Sequence, residues 1–319
     1  MHLPLNVNEG EGIALSEQYQ VGTMYPVFIL MNDEGNVIRR WTGYTGGATA
    51  LISTLNQALA DVTSIGDRLK RFNEQPTLKD ALFLAKYYSD AGENLKAADL
   101  YRRAESLSGN AATDYSLDIF NNIANAVWKE MIPFNRALEA ADEVLAAKRK
   151  NAHSMARVAK IMARIARKMG KTDLITKYLL AGINATAGSQ ISQLRESHEL
   201  LRADYALHVA GDTTGAITLK KKVMGEGWQD NRDKFYEFAK WCLERKINLR
   251  EAEEYARQTV NLVYPGRIRA MVLNTVAEIV YARGDIEKAI GVIKLAIEQE
   301  PENDFYADQL ERFQTESAR

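Results

Sequence analysis

Cysteine is almost missing from this 319-residue sequence, which contains only Cys242. A single cysteine excludes a disulfide within the chain and also excludes a Cys-x-x-Cys redox pair. Thiol–disulfide chemistry needs an attacking thiolate and a resolving thiol, so this sequence does not supply it. The neighbouring Phe238 and Trp241 favour a role for Cys242 as a small buried apolar residue.

The sequence also lacks an excess of charge of either sign. Its 41 lysines and arginines balance 42 aspartates and glutamates, which gives a formal net charge of -1. No global field therefore attracts nucleic acid or acidic lipid, and neither is expected as a partner. Metal ligands are sparse as well, because His198 and His208 have no third ligand nearby in the sequence. We predict no metal site and no cofactor.

Long apolar runs are missing too. The longest run near the start is Val27–Met31, whereas a membrane-spanning helix needs about 20 residues. No basic segment followed by a long apolar stretch marks a signal peptide. As it stands, the sequence predicts a soluble cytoplasmic protein, and a missing start would make the periplasm the alternative.

Strand signals are confined to the first 60 residues. An apolar run at 26–31, a turn at 32–36 and a second β-prone run at 37–41 predict a β-hairpin. Short helices are expected before it, at about 12–19, and after it, at about 48–60. From about Thr77 onward, apolar residues recur at helical spacing and no strand pattern is found.

Internal repeats determine the predicted fold of the helical part. Gly92, Gly170, Gly211 and Gly284 each stand where one helix should end and the next begin. The first repeat places small and large residues at Ala81, Leu84, Ala85, Tyr88, Gly92, Ala97, Tyr101 and Ala104. The last repeat has the same arrangement at Leu273, Val276, Ala277, Val280, Gly284, Ala289, Ile293, Ala296 and Pro301. Four weaker copies lie between them.

This pattern resembles the tetratricopeptide repeat. The resemblance implies an α-solenoid of about six helix pairs over residues 77–319. It also implies that the first helices of the repeats line a concave groove that binds proteins or peptides. An unrelated helical bundle is the alternative. The predicted fold class is therefore mainly α, a tetratricopeptide-like α-solenoid that follows a small α+β module.

Residues 5–60 resemble the second half of a thioredoxin-fold domain. The resemblance rests on a strand end at Asn6–Glu9, a short helix, Met24-Tyr25-Pro26 at the place of the cis-proline, and the hairpin that leads through Trp41-Thr42-Gly43-Tyr44 into a helix. It implies that Tyr25 and Pro26 contact extended peptides, unless Pro26 only shapes the entry to the strand. The Cys-x-x-Cys part of that fold has no counterpart here. We predict a partial thioredoxin-like module at 1–60, a linker helix at 61–76 and the repeat domain at 77–319.

A basic stripe is the most informative local feature. Residues 148–171 contain no acid, and cations recur at steps of three and four on one helical face. By the resemblance, this face lines the groove, and the next repeat continues it. The predicted peptide-binding residues are Arg157, Lys160, Arg164, Arg167 and Lys168 of the stripe, with His198, Tyr205 and His208 of the next repeat. Asn122 and Asn274 take similar groove places in their repeats, with a solvated amide as the alternative, and Trp128 is expected to be a packing residue.

Two functions remain open at this point. The first is a non-catalytic scaffold whose positive groove binds acidic proteins or peptides; a solvated cationic face is the alternative interpretation of the stripe. The second is a fragment of a thiol–disulfide oxidoreductase of the thioredoxin family whose Cys-x-x-Cys half is missing. Exposed edges of a partial sheet would also allow self-association.

Overall fold

The structure is a computed structural model that describes residues 6, 10–19, 21, 26–43, 47–109, 114–148 and 150–317. The chain divides into two compact units, Met1–Ala185 and Thr186–Arg319. The elements of the first unit are α1 (Glu11–Gln18), β1 (Val27–Met31), β2 (Val37–Thr42), α2 (Gly47–Leu59), α3 (Ile65–Glu74), α4 (Leu78–Asp90), α5 (Asn94–Leu107), α6 (Ser116–Trp128), α7 (Asn135–Ala146), α8 (Ala152–Met169) and α9 (Thr176–Thr186), which ends at the unit boundary.

All regular secondary structure in the described part of the second unit is helical. Its helices are α10 (Ser192–His208), α11 (Thr213–Met224), α12 (Arg232–Arg245), α13 (Leu249–Leu262), α14 (Arg267–Ala282), α15 (Ile286–Gln299) and α16 (Asp304–Ser317). Helices α10 and α11, α12 and α13, and α14 and α15 pack as successive pairs, and α16 packs on α15. In the described part of residues 77–319 we find no strand, so the prediction of an entirely helical region is confirmed there.

The hairpin forms where the sequence predicts it. Strands β1 and β2 pair antiparallel, and the Asn32 side chain accepts hydrogen bonds from the backbone N–H groups of Glu34 and Asn36 in the turn. Gly35 has φ of 80°, a left-handed conformation that glycine adopts without steric cost. Among the described residues the sheet has two strands only. The larger sheet of a thioredoxin fold is therefore not shown, and the thioredoxin resemblance stays a prediction.

One face of strand β2 packs against helices α3 and α4. Ile38 and Arg40 are buried, and β2 contacts both α3 and α4. Arg40 also donates a hydrogen bond of 2.5 Å to the backbone oxygen of Tyr19. The segment predicted as a linker helix forms α3, which begins after Ser64, whose hydroxyl accepts a hydrogen bond from the N–H of Asp67. Helix α3 thus contacts both the hairpin, through β2, and the first helix pair, through α4.

Helix ends follow the sequence signals. Asn151 and Ser154 form a reciprocal capping box at the start of α8. At its other end Gly170 adopts a left-handed conformation with φ of 62°, and the N–H of Lys171 reaches the carbonyl of Ala166. These two signals fix the length of α8 and therefore which residues its outward face presents.

The cores of the two units differ in character. In the first unit, small residues from α4 to α8 pack between a few large ones such as Phe72, Leu84 and Phe120, all fully buried. In the second unit, an aromatic cluster lies between the α12 and α13 helices. Trp228, Phe235, Phe238 and Tyr255 contact one another with ring centroids 4.9–6.3 Å apart.

Candidate functional site

Helix α8 presents its cations outward. Arg157, Lys160, Arg164 and Lys168 are exposed and Arg167 is half-buried. On the opposite face, Val158, Met162 and Ile165 are fully buried, whereas Ile161 and Met169 are half-buried. The two faces of the helix are therefore those that the helical periodicity of the sequence predicts.

The stripe does not stand alone, because α8 packs beside α6. The Arg157 Nε donates a hydrogen bond of 2.9 Å to the Asn121 Oδ1 on α6. The Arg164 guanidinium lies 4.7 Å and the Lys168 Nζ lies 4.8 Å from the ring centroid of Trp128, at the end of α6. Cations placed against an indole ring in this way are attracted by its π-electrons.

Trp128 corrects one prediction from the sequence. We expected it to be a packing residue, but 37% of it is exposed. The indole contributes an apolar surface within the stripe that is open to solvent. A usable signal exists in the sequence, since Trp128 precedes Lys168 by 40 residues, about one repeat length. Residues one repeat apart occupy adjacent helices in a repeat protein.

The stripe is partly satisfied by its own chain. The Lys168 Nζ lies 2.9 Å from the Glu130 carboxylate and donates to the backbone oxygen of Trp128 at 2.5 Å. An acid from a neighbouring part of the chain, outside residues 148–171, therefore pairs with Lys168. Both side chains of this pair reach solvent, and an exposed pair contributes only about 0–1 kcal/mol. Such a pair does not prevent a ligand from competing for Lys168.

Asp118 is a further acid near the stripe. Its pKa is raised, mainly because burial disfavours the ionised carboxylate, while the positive charge of Arg157 opposes that rise. Among the described residues, Glu130 and Asp118 therefore neighbour a stripe of five cations, and the exposed Lys171 follows at the end of α8. The formal charge summed over these residues is positive.

Asn122 departs from its predicted place. The sequence put it among groove residues, but it is 2% exposed. Its Oδ1 accepts a hydrogen bond from the Asn94 Nδ2 at 3.3 Å, and its own Nδ2 donates to the Asp118 backbone oxygen. This amide joins α5 to α6 and is not available to a ligand. Its neighbour Asn121 takes the position beside the stripe instead.

Two of the three residues predicted in the second unit, His198 and Tyr205, lie in two separate clefts. His198 is half-buried, its Nδ1 lies 3.1 Å from the Thr186 hydroxyl, and it lines an open cleft of about 660 Å³ between the start of α10 and the end of α11. Tyr205 lines another cleft of about 560 Å³ near the other end of α10. His208 is half-buried and lines neither.

The cleft at His198 is polar, but its charged side chains pair with one another. Glu199 pairs with Lys222 at 2.6 Å and with Arg202 at 3.1 Å. Burial disfavours the charged form of Glu199, but the hydrogen bond and charge of Lys222 outweigh it and lower the pKa of this carboxyl. Ion pairs inside the cleft leave little net charge for a ligand.

The remaining predicted site lies at the hairpin. Tyr25 is outside the described residues. Pro26 is exposed, and its carbonyl accepts a hydrogen bond of 2.8 Å from the N–H of Gly43, which extends the ladder of the hairpin by one bond. The predicted peptide contact of Pro26 stays a prediction.

Among the described residues, no cluster of three or more histidine, cysteine, aspartate or glutamate side chains has an arrangement that would hold a metal ion. Nor is any helix in the described ranges both long and apolar enough to cross a bilayer.

Comparison with solved structures supports the repeat architecture. A tetratricopeptide repeat protein from Parabacteroides merdae superposes with a TM-score of 0.52 at 12% identity, covering 83% of this chain and 96% of the other. The likeness is one of fold. The type IV pilus biogenesis factor PilW gives a TM-score of 0.44 at 14% identity, covering 73% of this chain and 98% of its own, and nothing rests on that match. No protein-family model and no curated protein matches the sequence.

The repeat fold explains why α6 lies beside α8, the helix that carries the stripe. In a stack of helix pairs, the first helix of each pair lies beside the first helix of the next, and α6 and α8 are such neighbours. Their outward surface, which we call the α6–α8 surface, comprises Asn121, Trp128, Arg157, Lys160, Arg164, Arg167, Lys168 and Lys171. It combines cations, an amide and an exposed indole.

Cys242 is sealed inside the second unit. It is fully buried, and burial, with the charge of Glu251, raises the pKa of its thiol to about 12. We expect native protein to react slowly or not at all with Ellman's reagent at neutral pH and to release one equivalent per chain in denaturant. The native chain is also expected not to reduce insulin catalytically. Rapid stoichiometric labelling of the native protein would contradict this assignment.

Proposed function

We propose that this chain is a non-catalytic scaffold that binds a protein or peptide of acidic character through the α6–α8 surface. The observation that carries the proposal is a row of cations on the outward face of α8, of which Arg164 and Lys168 lie against the exposed indole of Trp128. The other cations of the row are Arg157, Lys160 and Arg167. The tetratricopeptide-like fold supports it, because stacked helix pairs offer an extended surface rather than a closed catalytic pocket.

The chemistry of the surface selects the ligand. Guanidinium and ammonium groups bind carboxylates, and the exposed face of Trp128 offers contact to an apolar or aromatic side chain. Each exposed charge contact contributes about 0.2–1 kcal/mol, so several are needed for useful affinity. Binding should therefore weaken steeply with salt and favour acidic segments that also carry an aromatic residue.

The test reverses two charges at the centre of the stripe. The Lys160→Glu/Arg164→Glu variant should bind a fluorescein-labelled glutamate-rich peptide containing one phenylalanine about tenfold or more weakly than the parent chain, because two attractions become repulsions. Fluorescence anisotropy at low and high salt measures the affinity. Circular dichroism checks that the helices remain, as expected for outward-facing positions.

A charge-matched variant serves as control. Lys70→Glu/Lys294→Glu changes the net charge by the same amount at exposed positions on α3 and α15, and it should bind as the parent does. Equal affinity of the stripe variant and the parent chain would refute the proposal. Equal loss in both variants would show that net charge, and not this surface, governs binding.

Thiol–disulfide chemistry is the second function left open by the sequence. Within this sequence its thiol would be Cys242, which is buried beside Phe238 and Trp241 with a raised pKa. No observation in the described structure favours that function, and we do not propose it.

A further inference from the structure

Helix α16 carries a charge pattern opposite to that of α8. Asp304, Asp308 and Glu311 stand at i, i+4 and i+7 and are exposed, while Tyr306 and Phe313 on the other side are buried. Within the described residues, no ion pair joins any of these three carboxylates to another side chain. Helix α16 therefore presents one uniformly acidic outward face.

Helix α16 itself contributes few cations. Arg312 is the one basic residue described within α16, and its guanidinium bonds Glu278 on α14 rather than an acid of the outward face. Phe305 flanks the acidic face and is 50% exposed. The helix thus offers carboxylates and an aromatic side chain together.

The basic stripe on α8 matches this face in spacing. Arg157, Lys160 and Arg164 follow steps of three and four, as the carboxylates do, and a helix rises about 1.5 Å per residue. The three charges on each helix therefore span about 10 Å. The indole of Trp128 lies beside the stripe as Phe305 lies beside the acidic face.

We propose that the occupant of the α6–α8 surface is helix α16 of a second copy of this chain. Charge sign, charge spacing and an exposed aromatic side chain at each edge all agree, and one sequence carries both halves of the contact. The inference rests on the proposed function, since it names the acidic partner. Two different patches meet, so the contact is heterologous and continues from copy to copy unless a ring closes.

The expected behaviour is reversible, salt-sensitive self-association. Sedimentation velocity in low salt should show a weight-average mass that rises with protein concentration, and added salt should return it toward that of one chain. Two variants each remove one half of the contact. Lys160→Glu/Arg164→Glu and Asp308→Lys/Glu311→Lys should each remain monomeric alone.

Mixing the two variants provides the decisive measurement. The stripe variant keeps its acidic helix and the α16 variant keeps its stripe, so an equimolar mixture can form one intact contact. The two charge-reversed halves are also opposite in sign, so the mixture should regain association, in complexes that contain both variants. The charge-matched controls Lys70→Glu/Lys294→Glu and Glu254→Lys/Glu287→Lys change exposed residues elsewhere and should self-associate as the parent does.

The outcomes separate this inference from the proposed function. A parent chain that stays monomeric at all concentrations, a single variant that still associates, or a mixture without complexes of both variants would each overturn self-association. The α16 variant retains the stripe, so it should bind the acidic peptide as the parent does. Peptide binding without self-association would leave the proposed function standing and make the partner another acidic protein.

Discussion

Replacement of Asp80 by alanine is expected to lower the free energy of unfolding of the first unit by about 3–5 kcal/mol. The Asp80 carboxylate is 2% exposed and accepts from Arg68 Nη1 at 2.9 Å and from Arg71 Nη2 at 2.6 Å. Arg68 is fully buried, so removal of Asp80 leaves a charge inside the protein with one fewer partner. The cost comes from that uncompensated charge.

The surroundings of Arg68 explain why it cannot escape to water. Its guanidinium lies 3.9 Å from the centroid of the Phe83 ring, and its Nη2 lies 3.0 Å from the Asp61 carboxylate. Burial disfavours the ionised form of Asp80, but hydrogen bonds from Arg71 and Arg68 outweigh it and lower the pKa of this carboxyl. The cluster is therefore charged at neutral pH and ties α3 to α4.

Urea denaturation followed by circular dichroism measures the loss, and hydrogen exchange localises it to α3 and α4. Asp99→Ala, an exposed aspartate on α5, is the control and should stay within about 0.5 kcal/mol of the parent. Arg68→Met with Asp80→Leu removes both charges and should cost less than Asp80→Ala alone. A loss below about 1 kcal/mol for Asp80→Ala would show that Asp61 alone satisfies Arg68.

Truncation of Phe238 to alanine is expected to destabilise the second unit by about 3–5 kcal/mol. The ring is fully buried, 5.3 Å from Trp228 and 5.6 Å from Tyr255 by ring centroids. Its removal leaves a cavity between α12 and α13 that these rigid aromatic neighbours cannot fill. The Lys221 Nζ, 5.4 Å from the ring centroid, also loses its aromatic contact.

Hydrogen exchange of α12 and α13 and the fluorescence of Trp228 and Trp241 on denaturation report on this unit. Tyr264→Ala removes an aromatic ring that is 87% exposed, and it should change stability by no more than about 0.5 kcal/mol. Phe238→Leu fills part of the cavity and should recover part of the loss. Equal stability of Phe238→Ala and the parent would mean that the cluster repacks without cost.

The local structure was largely predictable because its signals are local. Gly170 and Asn151 bound α8 by their own conformation and hydrogen bonds, and the hairpin turn is set by Asn32 and Gly35. The exposure of the cations was predictable as well. They recur at steps of three and four on the face of α8 opposite the buried Met162 and Ile165, and a helix that buries one face exposes the other.

Contacts between helices were not predictable in the same way. The sequence favoured a packing role for Trp128 and a groove or solvated position for Asn122, whereas in the structure Trp128 is 37% and Asn122 2% exposed. Helical periodicity gives the direction of a side chain, whereas its exposure depends on which residues of the adjacent helix lie opposite. Those residues are a repeat length away in the chain and follow from packing.

By itself, the sequence determined the positions of the elements, the helical repeat and the outward face of the stripe, because capping, glycine conformation and periodicity act over a few residues. Only the tertiary structure decided that Arg164 and Lys168 lie against Trp128, that Lys168 meets Glu130, and that Arg68 and Asp80 form a buried cluster. These contacts join residues 12 to 40 positions apart. Whether such residues meet, and whether they are then buried, depends on how the helices between them in the chain pack.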